Sequence, residues 1–161
     1  MTLIRRFQPY LIALALSYLT AAIGAALTEL GPWYFALQQP AWKPPDAAFG
    51  IIWSTIFTLT AISAARAWLH AADQHARARV WLLFLVNAAL NMLWSALYFK
   101  WQRPDWALYE WGLLWLSVLA LVVYFWPRKR WVAYLNLPYL VWVSLAGALN
   151  LATIELNGPF G

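Results

Sequence analysis

Five long apolar runs dominate this chain, and each is bounded by charged residues, proline or both. The runs cover about 9–28, 47–69, 80–99, 106–126 and 131–154. Roughly 20 apolar residues in helical form cross a bilayer core about 30 Å thick. The pattern therefore predicts an all-α fold, an integral membrane bundle of five transmembrane helices that forms a single domain over residues 1–161.

The first run has the basic start of a signal peptide, because Arg5 and Arg6 precede it. Its apolar stretch is longer than the roughly 7–15 residues of such a peptide, and four further runs follow. We therefore predict a retained helix.

The short flanks on the two sides of the membrane differ in their number of basic residues, and the side with more of them is normally cytoplasmic. Eight Lys and Arg fall on the side of the N-terminus and three on the other side. We expect the N-terminus to be cytoplasmic and the C-terminus to lie on the opposite side of the membrane.

Composition agrees with a membrane protein, since 64% of the residues are hydrophobic and only 11% are charged. A soluble domain carries about 25% charged residues. The chain has no cysteine, which excludes disulfides and thiolate sites, and its net charge of +5 lies in short clusters rather than along a face. We expect no nucleic-acid partner. Thirteen tryptophans are more than membrane anchoring explains.

The longest connection, residues 31–50, contains four prolines and several aromatic residues. Proline removes a backbone donor and fixes φ, so this loop is predicted to be stiff and largely non-helical. Two interpretations stay open: a lid over a cavity, or a loop lying in the headgroup region.

Three predicted helices carry a stripe that mixes aromatic rings with neutral hydrogen-bonding groups. The stripes are Phe49, Trp53, Phe57 and Thr60; Asn87, Asn91, Trp94 and Tyr98; and Tyr139, Trp142, Ala146, Asn150 and Thr153. A single stripe of this kind is typical of a helix–helix contact. Three together, beside an aromatic loop, favour a cavity for a flat, partly polar ligand.

Other patterns exclude or leave open further functions. No charged residue lies near the middle of a run, which argues against an ion pump or a proton relay. His70 and His75 are five residues apart on different helix faces, so no metal site is expected. Small residues at Ser17, Ala21 and Ala25 suit either a dimer seam or packing inside one monomer.

Several motifs resemble the TspO family of tryptophan-rich sensory proteins, which includes the mitochondrial translocator protein, or peripheral benzodiazepine receptor. Trp42-Lys43-Pro44-Pro45 is similar to the family's W-x-P-P signature, and Trp53 follows it. The likeness continues through Gly31-Pro32-Trp33-Tyr34, through Asn87, Asn91, Trp94 and Ser95, and through Pro138, Tyr139, Trp142 and Ala146.

The resemblance implies a dimeric five-helix bundle whose pocket is capped by the loop at about 31–46. It implies porphyrin ligands such as protoporphyrin IX or haem, synthetic ligands of the isoquinoline and benzodiazepine type, membrane lipids as partners, and no required cofactor. The ligand-binding residues it implies are Trp33, Tyr34, Trp53, Asn87, Asn91, Trp94, Trp142 and Ala146.

The implied function is that of a tetrapyrrole sensor, scavenger or transporter in a bacterial cell membrane. Light-driven oxidation of protoporphyrin IX is also implied, with Trp142 and Trp33 as candidate catalytic residues. The alternative is a carrier of lipid-like or sterol ligands without chemistry. The end of the last run, 151–155, lacks the tyrosine and basic residue of the family's sterol pattern, so tight cholesterol binding is not expected.

Overall fold

A computed structural model describes residues 3–160, and their side chains from residue 7 onward. The helices are α1 (Leu3–Leu27), α2 (Pro32–Ala36), α3 (Asp46–Leu69), α4 (Gln74–Ser95), α5 (Pro104–Phe125) and α6 (Arg130–Asn157), and α4 continues into a π-helical turn, Ala96–Lys100. Five of these helices are long and apolar enough to cross a membrane. The predicted all-α membrane bundle is confirmed.

The helix ends differ from the predicted ones mainly where polar residues extend a helix beyond its apolar run. α1 begins at Leu3 and contains Pro9, which was the predicted start. α4 begins six residues before Val80, at Gln74, because Asp73 caps it by accepting a hydrogen bond from the Ala76 N–H at 2.7 Å. Hydropathy finds the apolar part of a helix, whereas capping decides where the helix begins.

The five long helices close into a ring in the order α1, α3, α6, α5, α4, with α4 returning to α1. One end of the ring, which we call the basic end, brings the Arg66 guanidinium over the rings of Tyr10 and Trp131. The other, which we call the loop end, carries α2 and the 37–45 segment. The ring order brings the three predicted stripes to the interior, on α3, α4 and α6.

Buried neutral polar groups tie the helices together. Fully buried Asn136 on α6 donates to the Ser63 hydroxyl on α3 at 2.7 Å. On α1, Ser17 donates to the Phe57 carbonyl of α3 at 2.7 Å, and Gly24 packs near Ser95 of α4. These two small residues of α1 therefore serve packing inside the monomer, which was one of the two open interpretations.

Large apolar side chains cover the outside of the bundle on all five long helices, as a lipid-facing surface requires. Charged groups lie near the ends, for example the Lys100 ammonium, 2.6 Å from a Glu29 carboxylate oxygen at the loop end. The protein is an integral membrane protein. The cytoplasmic position of the N-terminus stays a prediction from the basic flanks.

Gly147 allows α5 and α6 to pack closely, and Gly147→Ala is expected to destabilise the bundle. A Cβ at this position would lie 2.1 Å from a ring carbon of Trp111. The Trp111 indole is held by its hydrogen bond to the Val143 carbonyl at 2.8 Å, so it cannot move aside freely. Overpacking of this kind costs about 1–3 kcal/mol.

Thermal unfolding in detergent measures this effect as a lower Tm. The matched control is Gly112→Ala on α5, where an added Cβ meets no atom within 4 Å. An unchanged Tm for Gly147→Ala, or an equal fall in both variants, would contradict this account of the α5–α6 contact.

Candidate functional site

Trp53 is the centre of an aromatic cluster inside the bundle, formed with Phe49, Phe57, Tyr139 and Trp142. Its ring stacks on Phe57 with centroids 5.4 Å apart and meets the rings of Tyr139 and Trp142 edge-on at 6.0 and 6.3 Å. Phe49 meets Trp142 at 5.3 Å. Offset and edge-on geometries are the favourable ones for aromatic pairs. The stripes of α3 and α6 thus converge on one group of rings.

A second group, the loop cluster, joins the 31–46 segment to the end of α4. Its members are Trp33, Tyr34, Trp94, Tyr98 and Phe99. Trp94 stacks on Tyr98 at 5.0 Å, and Trp33 meets Tyr98 edge-on at 6.2 Å. Tyr98 and Phe99 lie in the π-helical turn, whose extra residue per turn changes the direction in which later side chains point.

The loop is fastened to the bundle at two points. The Asn157 side chain accepts from the Gln38 N–H at 2.7 Å and donates to the Gln38 carbonyl at 2.9 Å. The Tyr34 hydroxyl donates to an Asp46 carboxylate oxygen at 3.2 Å, and Lys43 bridges to the same carboxylate. Burial raises the pKa of the Tyr34 phenol despite the nearby Lys43 ammonium, so the hydroxyl keeps its proton and remains a donor.

The two asparagines of α4 use their amide nitrogens to bind neighbouring helices. Asn87 donates to the Ser117 hydroxyl at 2.9 Å, and Asn91 donates to the Tyr139 hydroxyl at 3.1 Å. Neither side-chain oxygen accepts a hydrogen bond from any of the described residues. Asn150 of the α6 stripe has a structural role, since its amide faces the Pro104 carbonyl and the Leu108 N–H of α5 at 3.0 and 3.1 Å.

A cavity of about 710 Å³ lies between α1, α3 and α4. It extends from the basic end to the level of Asn91, and its polar groups include Asn87, Asn91 and the Tyr139 ring. Phe57 and Tyr139 line it and also belong to the aromatic cluster, so they form a shared wall between the two. The volume falls within the roughly 300–1,000 Å³ of typical ligand sites.

The cavity differs in position from the pocket that the resemblance implies under the loop. Of the eight implied residues, Asn87 and Asn91 line the cavity, and the others do not. Trp33, Tyr34, Trp53, Trp94 and Trp142 all contact other rings, and Ala146 is half-buried on α6. Indoles that project from several helices at similar depth fill each other's space, which sequence spacing does not reveal.

Several buried polar atoms of this region have no hydrogen-bond partner among the described residues. They are the indole nitrogens of Trp94 and Trp142, both carboxylate oxygens of Glu110, and the Thr60 hydroxyl. Other inner indoles are satisfied: Trp111 donates to the Val143 carbonyl and Trp115 to the Ser144 hydroxyl, each at 2.8 Å. Buried polar groups are nearly always paired, so these atoms need partners other than the described residues.

Phe57, which lines the cavity, and Glu110, a buried acid without a partner among the described residues, were not among the predicted binding residues. Glu110 lies inside the fourth predicted run, and an ionisable residue there was a usable signal. It lies near one end of the run, whereas the prediction considered only charged residues near the middle of a run. Phe57 belonged to a predicted stripe, but the sequence does not show that its ring lines the cavity as part of the shared wall.

Comparison with known proteins identifies the family of this chain. A profile described as the TspO/MBR family matches residues 11–155. The chain belongs to the TspO/MBR family. It is 36% identical over 151 residues to Protein CrtK of Rhodobacter capsulatus, covering 94% of this chain and 92% of that protein.

Two further members of the family show how widely the likeness extends. The Tryptophan-rich sensory protein of Cereibacter sphaeroides is 30% identical over 149 residues, with 90% of this chain and 92% of that protein covered. The Translocator protein of Homo sapiens is 29% identical over 119 residues, with 73% of this chain and 70% of that protein covered. The resemblance seen in the motifs is confirmed as family membership.

Asn157→Ala is expected to loosen the loop of this TspO/MBR protein without unfolding the bundle. The substitution removes both hydrogen bonds to Gln38, which are partly exposed, so we expect a small stability loss of about 1 kcal/mol. Hydrogen exchange of the 37–39 amides should quicken, while exchange in α5 and α6 stays slow. Leu156→Ala, at an exposed neighbouring position, is the control. Equal exchange at 37–39 in both variants would show that Asn157 does not hold the loop.

Proposed function

We propose that this protein binds tetrapyrroles inside the bundle and acts as a membrane sensor, scavenger or transporter of them. The observation that carries the proposal is the shared wall. Phe57 and Tyr139 connect a cavity lined by the side chains of Asn87 and Asn91 to an aromatic cluster in which the Trp142 indole N–H has no partner among the described residues. A flat, largely apolar ring with a few hydrogen-bonding groups matches this combination.

The ligand would extend from the asparagines toward Trp53 and Trp142. In doing so it would replace ring–ring contacts within the aromatic cluster by contacts to its own face. Because the new contacts are of the same kind, opening the cluster costs less than breaking an ordinary apolar core. Trp33, Tyr34 and Trp94 would border the ligand from the loop side, with Ala146 leaving room beside Trp142.

Entry from the bilayer is the second part of the proposal. Exposed apolar side chains of α1 and α4 also line the cavity, among them Leu16, Leu19, Ile23 and Leu85. The cavity therefore borders the lipid-facing surface between these helices. This border also favours the alternative function, a carrier of lipid-like ligands without chemistry, which flux measurements across proteoliposomes would detect for a labelled lipid.

Tryptophan fluorescence tests the binding proposal. Protoporphyrin IX is expected to quench the protein in a saturable way. Trp53→Ala and Trp142→Ala are each expected to weaken binding by up to about tenfold, since aromatic stacking is worth about 0.5–1.5 kcal/mol beyond area burial. Trp126→Ala, at the basic end with 43% of the side chain exposed, is the control. Equal affinities in all three variants would place the ligand elsewhere.

Illumination tests whether binding leads to oxidation of the porphyrin. In that case dissolved dioxygen is the net oxidant, and an indole such as Trp142 would relay an electron between the excited ring and dioxygen, with Trp33 as a second candidate. Trp142 is 6% exposed and packs in the same buried group as Tyr139, and phenylalanine keeps an aromatic ring at this position, so Trp142→Phe should keep most of the binding and stop the light-driven loss of porphyrin absorbance. An equal rate of loss in wild type and variant would exclude Trp142 from the chemistry. A sensor without enzymatic activity would give no new product spectrum in either protein.

A further inference from the structure

A second, smaller cavity lies at the basic end of the bundle. It is lined by residues of the α3–α4 connection, such as Ala71 and Ala72, and by Arg128 and Lys129 of the α5–α6 connection. Val80 is the one residue that it shares with the larger cavity. Its volume of about 260 Å³ is below the roughly 300–1,000 Å³ of sites that enclose a drug-sized ligand. The space therefore suits a compact group rather than a tetrapyrrole.

This cavity lies at the level where the apolar part of the bundle ends. α3 ends at Leu69 and α5 at Phe125, and the connections that follow them line the cavity. Trp126 and Trp131, beside the same connection, are exposed in the manner of membrane-interface anchors. The cavity is therefore at the depth of the lipid headgroups.

The inner side of the cavity is apolar and the outer side is basic. Val80 and Phe125 are buried and belong to one core group that packs below it. Arg128 and Lys129 are exposed and border it on the headgroup side. A group that fits here carries negative charge at its outer part and continues into an apolar part.

The basic end has few acids to neutralise its cations. The only acid described there is Asp73, which caps α4 by accepting from the Ala76 N–H. All three ion pairs found among the described residues lie at the loop end. Arg128 and Lys129 thus have no carboxylate partner in the described part of the chain, and their positive charge is open to an external anion.

The Arg128 guanidinium is held in a fixed position beside the cavity. Its Cζ atom lies 4.1 Å from the centroid of the Tyr124 ring, and Nη1 donates to the Tyr124 carbonyl at 2.7 Å. A guanidinium has five N–H donors, so most of them have no partner among the described residues. A planar, pre-oriented guanidinium beside an ammonium is well suited to the oxygens of a phosphate group.

We propose that this cavity, the headgroup pocket, binds the phosphate of an anionic glycerophospholipid, with Arg128 and Lys129 as the binding residues. Basic pockets between transmembrane helices near a membrane surface recognise anionic headgroups. A zwitterionic headgroup would bring a further cation next to Arg128 and Lys129, so an anionic lipid is favoured. The acyl chains would stay in the bilayer against the apolar outer surface of the bundle. The proposal goes beyond the proposed function, because this pocket needs no tetrapyrrole.

Native mass spectrometry of the full chain, released from detergent micelles with added dioleoyl phosphatidylglycerol or dioleoyl phosphatidylcholine, tests the proposal. Wild type is expected to bind a first phosphatidylglycerol more tightly than a phosphatidylcholine. The double variant Arg128→Gln/Lys129→Gln is expected to bind the first phosphatidylglycerol about tenfold or more weakly, as for the loss of charge-assisted hydrogen bonds. Its affinity for phosphatidylcholine should stay as in wild type.

The matched control is the double variant Arg79→Gln/Arg130→Gln. Both of these arginines are exposed at the basic end, and neither lines the pocket. The two double variants therefore have the same net charge. At about 0.15 M salt the Debye length is about 8 Å, so distant surface charges are largely screened and the control should keep most of its phosphatidylglycerol affinity.

A second pair of variants tests the pocket without a change of charge. Ala76 lines the pocket, so Ala76→Leu should occupy part of it and weaken phosphatidylglycerol binding. Ala78→Leu, at an exposed position of α4 outside the pocket, is its control. Circular dichroism and Tm without added lipid check that every variant keeps its helices, and the Ala76 pair carries the test if the Arg128 and Lys129 variant does not fold.

Each outcome decides for or against the headgroup pocket. Equal loss of phosphatidylglycerol in both double variants, or equal binding of the two lipids by wild type, would show general attraction to the surface and overturn the proposal. Full affinity in Ala76→Leu would place the lipid elsewhere. Displacement of the lipid by an equal concentration of inorganic phosphate would make free phosphate the occupant. None of these outcomes depends on porphyrin binding, so the proposed function is tested separately.

Discussion

Polar groups inside this bundle have to find their partners within the protein, and this constraint decides much of its structure. Lipid supplies no hydrogen bonds, so the backbone is helical wherever it crosses the membrane. The same requirement acts on side chains. Asn136 binds Ser63, Asn87 binds Ser117, and Asn91 binds Tyr139, so each of these bonds fixes the rotation of one helix against another. Among the described residues a few buried polar atoms depart from this rule, including the Trp142 indole nitrogen and the Asn136 side-chain oxygen.

The tryptophans fall into three groups according to their exposure and to the hydrogen-bond partner of the indole N–H. Trp111 and Trp115 donate to α6, and a polar partner fixes each indole. Trp101, Trp106 and Trp126 are exposed, as expected for membrane-interface anchors. Trp94 and Trp142 are inner indoles whose N–H groups have no partner among the described residues. Composition shows only that tryptophan is abundant, whereas hydrogen bonding shows which copies lack a structural explanation.

Much of the fold follows from the sequence, because apolar length and helical spacing are local properties. The five spans and the inward direction of the three stripes are such properties, and Tyr139 and Trp142 are nearly fully buried as their spacing predicts. The family is also readable from short motifs such as Trp42-Lys43-Pro44-Pro45. The position of the cavity is not local, since it depends on how α1 leans against α3 and α4. The unpaired state of Glu110 is likewise invisible in the sequence, which shows the acid but not its neighbours.

The loop and the cavity lie at different levels of the bundle, and this separation bears on how a ligand is held. The loop is fastened by Asn157 and Asp46 at one end, while the cavity extends toward the other. A ligand entering between α1 and α4 would meet Asn87 and Asn91 first and the aromatic cluster afterwards. The fastened loop would then not need to open for entry. In the proposed function its rings would instead border the far side of the site.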